Sequence, residues 1–87
     1  MKLILSTQEN DVLLKAIKHG GKALKITNRF LNGKLCTEGN EQEFLLLHEI
    51  CQDYLLFEGF DENYDVTSTG RILERVIDKI FNVLEKS

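Results

Sequence analysis

The stretch LKITNRFLNGKLC, Leu24 to Cys36, decides the fold of this chain. It admits two readings. Ala23, Ile26 and Phe30 recur at helical spacing, with Leu24 and Leu31 beside them. That pattern predicts a helix over 22–31, with Asn32-Gly33 as its C-terminal stop. The same Asn-Gly pair, flanked by RFL and KLC, is also a strong hairpin signal. As a strand, however, LKITNRFL alternates poorly, because Asn28 falls on the apolar face. The helix is therefore favoured. It makes the fold all-α, a compact bundle of about four helices in a single domain over 1–87. The alternative is an α+β fold with a small hairpin around Asn32-Gly33, so residues 22–36 stay open between the two.

Three further helices follow from the flanks. Ser6 with Glu9 three residues later reads as a capping box for a helix over 7–19. Leu13, Leu14 and Ile17 give it an inward stripe, and Gly20-Gly21 stop it. Asn40 caps a helix over 41–57, with Glu43 at the reach-back position. Phe44, Leu47, Cys51, Tyr54 and Leu55 line one side of it; Leu46, Ile50 and Phe57 widen that side. So broad an apolar surface suits the central helix of the domain. The last helix, over 68–85, carries Ile72, Leu73, Val76, Ile77, Ile80, Phe81 and Leu84 at a spacing near 3.6. Arg71, Glu74, Arg75, Asp78, Lys79 and Glu85 fall on its polar side.

The totals agree with a small helical globule. Of the 87 residues 43% are hydrophobic and 29% charged, with no proline or tryptophan and six glycines. A chain of this size buries only roughly 60–65% of its unfolded surface, which leaves little room for an enclosed catalytic pocket. MKLIL is too short for a signal core or a membrane span, so a cytoplasmic location is expected. There the two cysteines, Cys36 and Cys51, are expected to be reduced and buried.

The net charge of −3 conceals a strong asymmetry. Residues 1–35 carry seven basic side chains against Glu9 and Asp11, a balance of +5. Residues 36–87 carry twelve acidic against four basic, a balance of −8. No Lys or Arg occurs between Lys34 and Arg71, a span with nine carboxylates. Blocks this one-sided shape the field of the protein and mark an interaction surface.

The acidic block ends in EGFDENYDVTSTGR, Glu58 to Arg71. Asp61, Asn63 and Asp65 match the first ligand positions of an EF-hand loop. Val66 and Ile72 stand where that loop requires Gly and Glu. No metal or other cofactor is therefore expected. His48 and Cys51, three apart on one helix, could form an activated thiolate, but a small buried cysteine beside a partly exposed histidine is the simpler reading. Zinc would need two more ligands, and His19 and Cys36 do not sit at finger spacing. No Ser-His-Asp order, glycine-rich phosphate loop or carboxylate-pair motif is present. The expectation is a non-enzymatic protein.

Two partner classes remain. Lys15, Lys18, Lys22, Lys25 and Arg29 would form a basic stripe on one continuous helix, but Gly20-Gly21 divide it. Tyr64, Val66, Thr67, Gly70 and Arg71 also resemble the end of a winged-helix regulator, where a wing strand leads into a final dimerisation helix. That resemblance implies a small DNA-binding transcriptional regulator. The chain departs from it at the helix before the wing, QEFLLLHEICQDYLLFE, which has no Lys or Arg to meet phosphates. Nucleic acid is thus the disfavoured partner.

The stretches FLNGKL, EFLLLHEICQDYL and GFDENYDVTSTGRILERVID are similar to small helical immunity proteins of bacterial contact-dependent inhibition and related polymorphic toxin systems. The resemblance implies a cognate toxin domain, often a nuclease, bound one-to-one in the cytoplasm and neutralised there. A nuclease cleft must attract phosphates and is therefore positive, so carboxylates can occupy it. Opposite fields also speed encounter, up to about 10⁸–10⁹ M⁻¹s⁻¹ at low salt. The candidate toxin-binding residues are Glu49, Asp53, Glu58, Phe60, Asp61, Glu62, Tyr64 and Asp65. Phe60 and Tyr64 are the aromatic anchors among them. An alternative role for both rings is to pin the loop to the core. Self-association is left open.

Overall fold

A computed structural model describes the backbone of residues 1–20, 27–31 and 34–86, and the side chains of residues 1–20 and 36–86. Within them the order is β1 (Lys2–Leu5), α1 (Thr7–Gly20), β2 (Thr27–Leu31), β3 (Lys34–Glu38), α2 (Glu41–Glu58) and α3 (Ser68–Glu85). The chain is mostly helical, but three helices, not four, are found among the described residues. The expected helix over 22–31 is corrected: its second half is strand β2, and residues 22–26 lie outside the description. The fold is therefore α+β rather than all-α.

Tertiary pairing explains the correction. The sheet is antiparallel in the order β1-β3-β2, so β3 is central and both of its edges need partners. β1 supplies one, from Lys2↔Glu38 to Leu5↔Leu35. β2 supplies the other, from Thr27↔Glu38 to Leu31↔Lys34, which leaves only 32–33 between the paired strands. Asn28, which spoils the apolar alternation, stands in register opposite Thr37. β1 was hidden in the sequence because its outer position is apolar: Leu3 and Leu5 are buried, while Ile4 between them is exposed.

Local chemistry starts each helix where the sequence predicts. The Ser6 amide donates to Glu9 Oε1 at 2.9 Å and the Glu9 amide to Ser6 Oγ at 3.2 Å, a reciprocal capping box for α1. For α2 the Asn40 amide donates to Glu43 Oε1 at 3.4 Å and the Glu43 amide to Asn40 Oδ1 at 2.8 Å. Thr67 Oγ1 accepts from the Gly70 amide at 3.0 Å and so caps α3.

The core joins one face of β1 (Leu3, Leu5) to one stripe of each helix. Val12, Leu13 and Ala16 come from α1; Phe44, Leu47, Ile50 and Cys51 from α2; Leu73, Val76 and Ile80 from α3. Three residues expected inside are exposed instead, namely Leu14, Phe57 and Phe81. Cys36 and Cys51 are both buried free thiols. Burial pushes the Cys51 thiol up to about 12, which leaves it protonated and without nucleophilic character at neutral pH.

Two contacts hold the layers in register. Lys79 lies on the polar side of α3, yet its ammonium donates to Glu9 Oε1 at 2.7 Å and to the Ile4 carbonyl at 3.3 Å. One cation thus ties α3 to the cap of α1 and to edge strand β1. The second contact is between backbones. A Cβ on Gly70 would lie 2.4 Å from the Gly59 carbonyl oxygen and 2.9 Å from its Cα, so α3 meets the end of α2 without an intervening side chain. Among the described residues no helix is long and apolar enough to cross a membrane.

Two outcomes follow for stability. Burial acts to raise the Glu9 carboxyl, but hydrogen bonds from Lys79 and Ser6 outweigh it and hold the group below its ordinary value of 4.5. A lowered folded pKa contributes stability above the unfolded value and loses it as pH falls through the folded one. Glu9→Gln should therefore cost about 1–2 kcal/mol at neutral pH, discounted because Lys79 is partly exposed, and the gap to wild type should narrow as pH falls below the ordinary carboxyl value of 4.5. Thermal unfolding across pH measures this; a gap independent of pH would contradict it. Gly70→Ala should cost about 2–3 kcal/mol, or about 8–24 °C in Tm, by overpacking against backbone that cannot move aside.

Candidate protein-binding face

The site begins at the end of α2, where Gly59 donates its amide to the Leu55 carbonyl at 2.7 Å. The chain then runs out as a short loop and returns to the same place. The Thr67 amide donates to the Gly59 carbonyl at 2.8 Å, and Thr67 Oγ1 donates to the Glu58 carbonyl at 3.0 Å. Phe60 and Val66 form a single antiparallel bridge between the two arms.

Within that closure the tip is a three-residue hairpin turn. The Asp61 amide donates to the Asp65 carbonyl at 2.9 Å, and the Tyr64 amide to the Asp61 carbonyl at 3.0 Å. Such a turn places its last residue in the left-handed region, and Tyr64 is there, at φ 62°. It is the sole non-glycine with positive φ among the described residues. Glycine or asparagine usually fills this position, because a side chain there crowds the following carbonyl at a cost of about 1–2 kcal/mol. The Tyr64 ring recovers little of that cost by packing, since it is 86% exposed. A bulky aromatic is thus held in strained backbone and turned to solvent.

The carboxylates divide by task. Asp61 Oδ1 accepts from the amides of Asn63 and Asp65 at 2.8 and 3.0 Å, so this side chain builds the turn. Glu62 and Asp65 are exposed beside it. Among the described residues no group of three His, Cys, Asp or Glu side chains is placed to hold a metal ion.

All eight residues singled out in the sequence are on the surface. Phe60, Asp61 and Tyr64 come together with Leu56 around an open groove of about 380 Å³. Phe60 is 38% exposed, half-way between a core pin and a free ring, whereas Tyr64 is clearly the latter. Glu49 and Asp53 are one turn apart on α2 and, at about 100° per residue, lie about 20° and 60° around the helix from Leu56, both to the same side. Glu58 is separated from this group: it lies about 200° around the helix from Leu56. Leu56 itself was missed. It is 76% exposed, and its exposed i−4 and i−7 neighbours, Gln52 and Glu49, were the available signal.

The second feature of α2 is an aromatic cluster on another side. The His19 ring, at the end of α1, stacks on Phe57 with centroids 4.4 Å apart and tilts against Tyr54 at 5.4 Å. This explains how Phe57 can leave the core and still be partly covered.

Comparison with protein-family models, curated proteins and solved structures finds no match.

The strain at Tyr64 has a measurable consequence. Tyr64→Gly should raise stability by about 0.5–1 kcal/mol, since relief of the left-handed strain exceeds the added freedom of the unfolded chain. Tyr64→Ala keeps the strain and should give no such gain. Denaturant midpoints of both variants measure the difference; equal midpoints would show that the position is unstrained.

Proposed function

We propose that this protein is a non-enzymatic immunity protein, which captures and neutralises a basic toxin domain through the exposed face of α2 and the loop after it. The observation that carries this reading is Tyr64, a ring 86% exposed on a strained backbone among carboxylates. Strain of this kind persists when something other than stability maintains it. The charge supports the same reading. Among the described residues, no ion pair engages Glu49, Asp53, Glu62 or Asp65, so their field is directed to solvent. Carboxylates attract the cation, and an aromatic ring supplies the desolvated anchor that charge alone lacks.

The resemblance of the sequence to immunity proteins of contact-dependent inhibition supports a toxin domain as the partner. A nuclease domain with a phosphate-binding cleft is basic where it works, and a one-to-one complex formed in the cytoplasm would close that cleft. The hydrogen bonds of Asp61 refine which residues do this. Asp61 is committed to the turn, so Glu49, Asp53, Glu62 and Asp65 are the carboxylates free to meet a partner.

Replacing those four with Lys tests the reading without breaking the turn. Association with the cognate toxin domain, read by stopped-flow fluorescence, should slow about 10- to 1,000-fold at low salt and much less at high salt. Protection of cells expressing that toxin should fall with it. An unchanged on-rate and undiminished protection would refute the proposal.

A further inference from the structure

The loop groove has a counterpart at the other end of α2. Leu45, His48, Phe81 and Leu84 line a second open groove of about 380 Å³, bordered by Glu41 and Glu85. It lies between the first turns of α2 and the last turns of α3. Leu45 is 53% and Phe81 54% exposed, so both are large apolar surfaces left in water. The His48 ring stands 6.4 Å from that of Phe81 and forms part of the same wall.

Helix geometry puts the two grooves on one face. Leu45 and Leu56 are eleven residues apart, which is three turns with about 20° to spare, and separates them by about 16 Å along the axis. The ridge between them carries Glu49, Gln52 and Asp53, all exposed. The whole face is thus an apolar site at each end with carboxylates between and around them.

What could cover it is constrained by charge and by backbone chemistry. A second copy of this chain presenting the same face would set carboxylate against carboxylate across the ridge, so face-to-face self-association is opposed. A cationic partner is favoured for the same reason. That partner cannot lie there as an extended strand with its hydrogen bonds satisfied, because α2 and α3 spend their own backbone groups internally and present no sheet edge. A helix carries its hydrogen bonds with it, and its own faces recur after eleven residues.

We propose that the segment bound on this face is a single basic amphipathic helix of the partner protein, with apolar residues eleven positions apart seated in the two grooves and Lys or Arg over the ridge. This rests on the reading of the acidic face as a protein-binding surface, and it adds Leu45 and Phe81, which the loop alone does not include. Both are exposed, so they can be changed without disturbing the core.

The test uses a synthetic helical peptide with two phenylalanines eleven residues apart and lysines on the flanks, and a control of the same composition with the phenylalanines on opposite faces. Backbone amide NMR shifts of the full chain report where each binds. The first peptide should move signals at Leu45, His48 and Phe81 together with those at Leu56 and Tyr64. Leu45→Ser or Tyr64→Ser should each weaken it about five- to thirty-fold. Equal binding of the control peptide would overturn the inference, since charge alone would then suffice. Shifts confined to the loop groove, with Leu45→Ser neutral, would overturn it too, but would leave the acidic face standing as a binding surface if charge reversal of Glu49, Asp53, Glu62 and Asp65 still abolished association. Loss of both effects would overturn the inference together with the reading on which it rests.

Discussion

The close approach of two backbones, Gly70 of α3 against Gly59 at the end of α2, is the constraint from which much of this structure follows. Only hydrogens separate the chain segments there, with the Gly59 carbonyl 2.4 Å from where a Gly70 Cβ would be. The contact brings the first turn of α3 onto the last turn of α2, and these two helices then pack extensively on one another. It also fixes the ends of the loop between them. Thr67 serves three groups at this point: its hydroxyl caps α3 and donates to Glu58, and its amide donates to Gly59. A loop whose ends are held so close must turn tightly, which is why Tyr64 is forced to positive φ.

The proposed binding face is a consequence of the same geometry. Packing of α2 against α1 and α3 uses Phe44, Leu47, Ile50 and Cys51, and leaves the opposite side outward. That outward side carries Leu45, Glu49, Gln52, Asp53 and Leu56, a mixture that would be unremarkable if each residue were considered alone. Its meaning comes from what the fold adds at the two ends: Phe81 from α3 beside Leu45, and Phe60 and Tyr64 from the loop beside Leu56. Apolar surface at both ends of an acidic ridge suits capture of a cationic chain better than it suits a homodimer.

The Lys79 contact has a different relation to the fold. Lys79, the residue that joins α3 to β1 and α1, pairs its half-exposed ammonium with the buried Glu9, a carboxylate thus withdrawn from the surface. Position 79 reads as one more polar residue on an amphipathic helix. Its partners are 70 and 75 residues away, and no local pattern announces them. The same holds for β1. Its apolar outer residue, Ile4, hides the alternation that would have marked KLIL as a strand, and only pairing with Cys36 across β3 reveals it.

Local chemistry, readable from the sequence, determined the three helices, the caps of the first two at Ser6 and Asn40, the burial of both cysteines, and the acidic block from 38 to 65. Each of these depends on residues within about one turn of one another, or on hydropathy summed over a short window. The tertiary structure decided the rest. It turned 27–31 into a strand because β3, as the central strand, required a partner on each edge, a demand set by backbone hydrogen bonds and not by side-chain periodicity. It moved Leu14, Phe57 and Phe81 from core to surface because a helical stripe fixes only a direction, and neighbouring helices decide how wide an arc is covered. It separated Asp61 from the other loop carboxylates, because which of several equal charges builds a turn is settled by distances to backbone amides that no sequence spacing records.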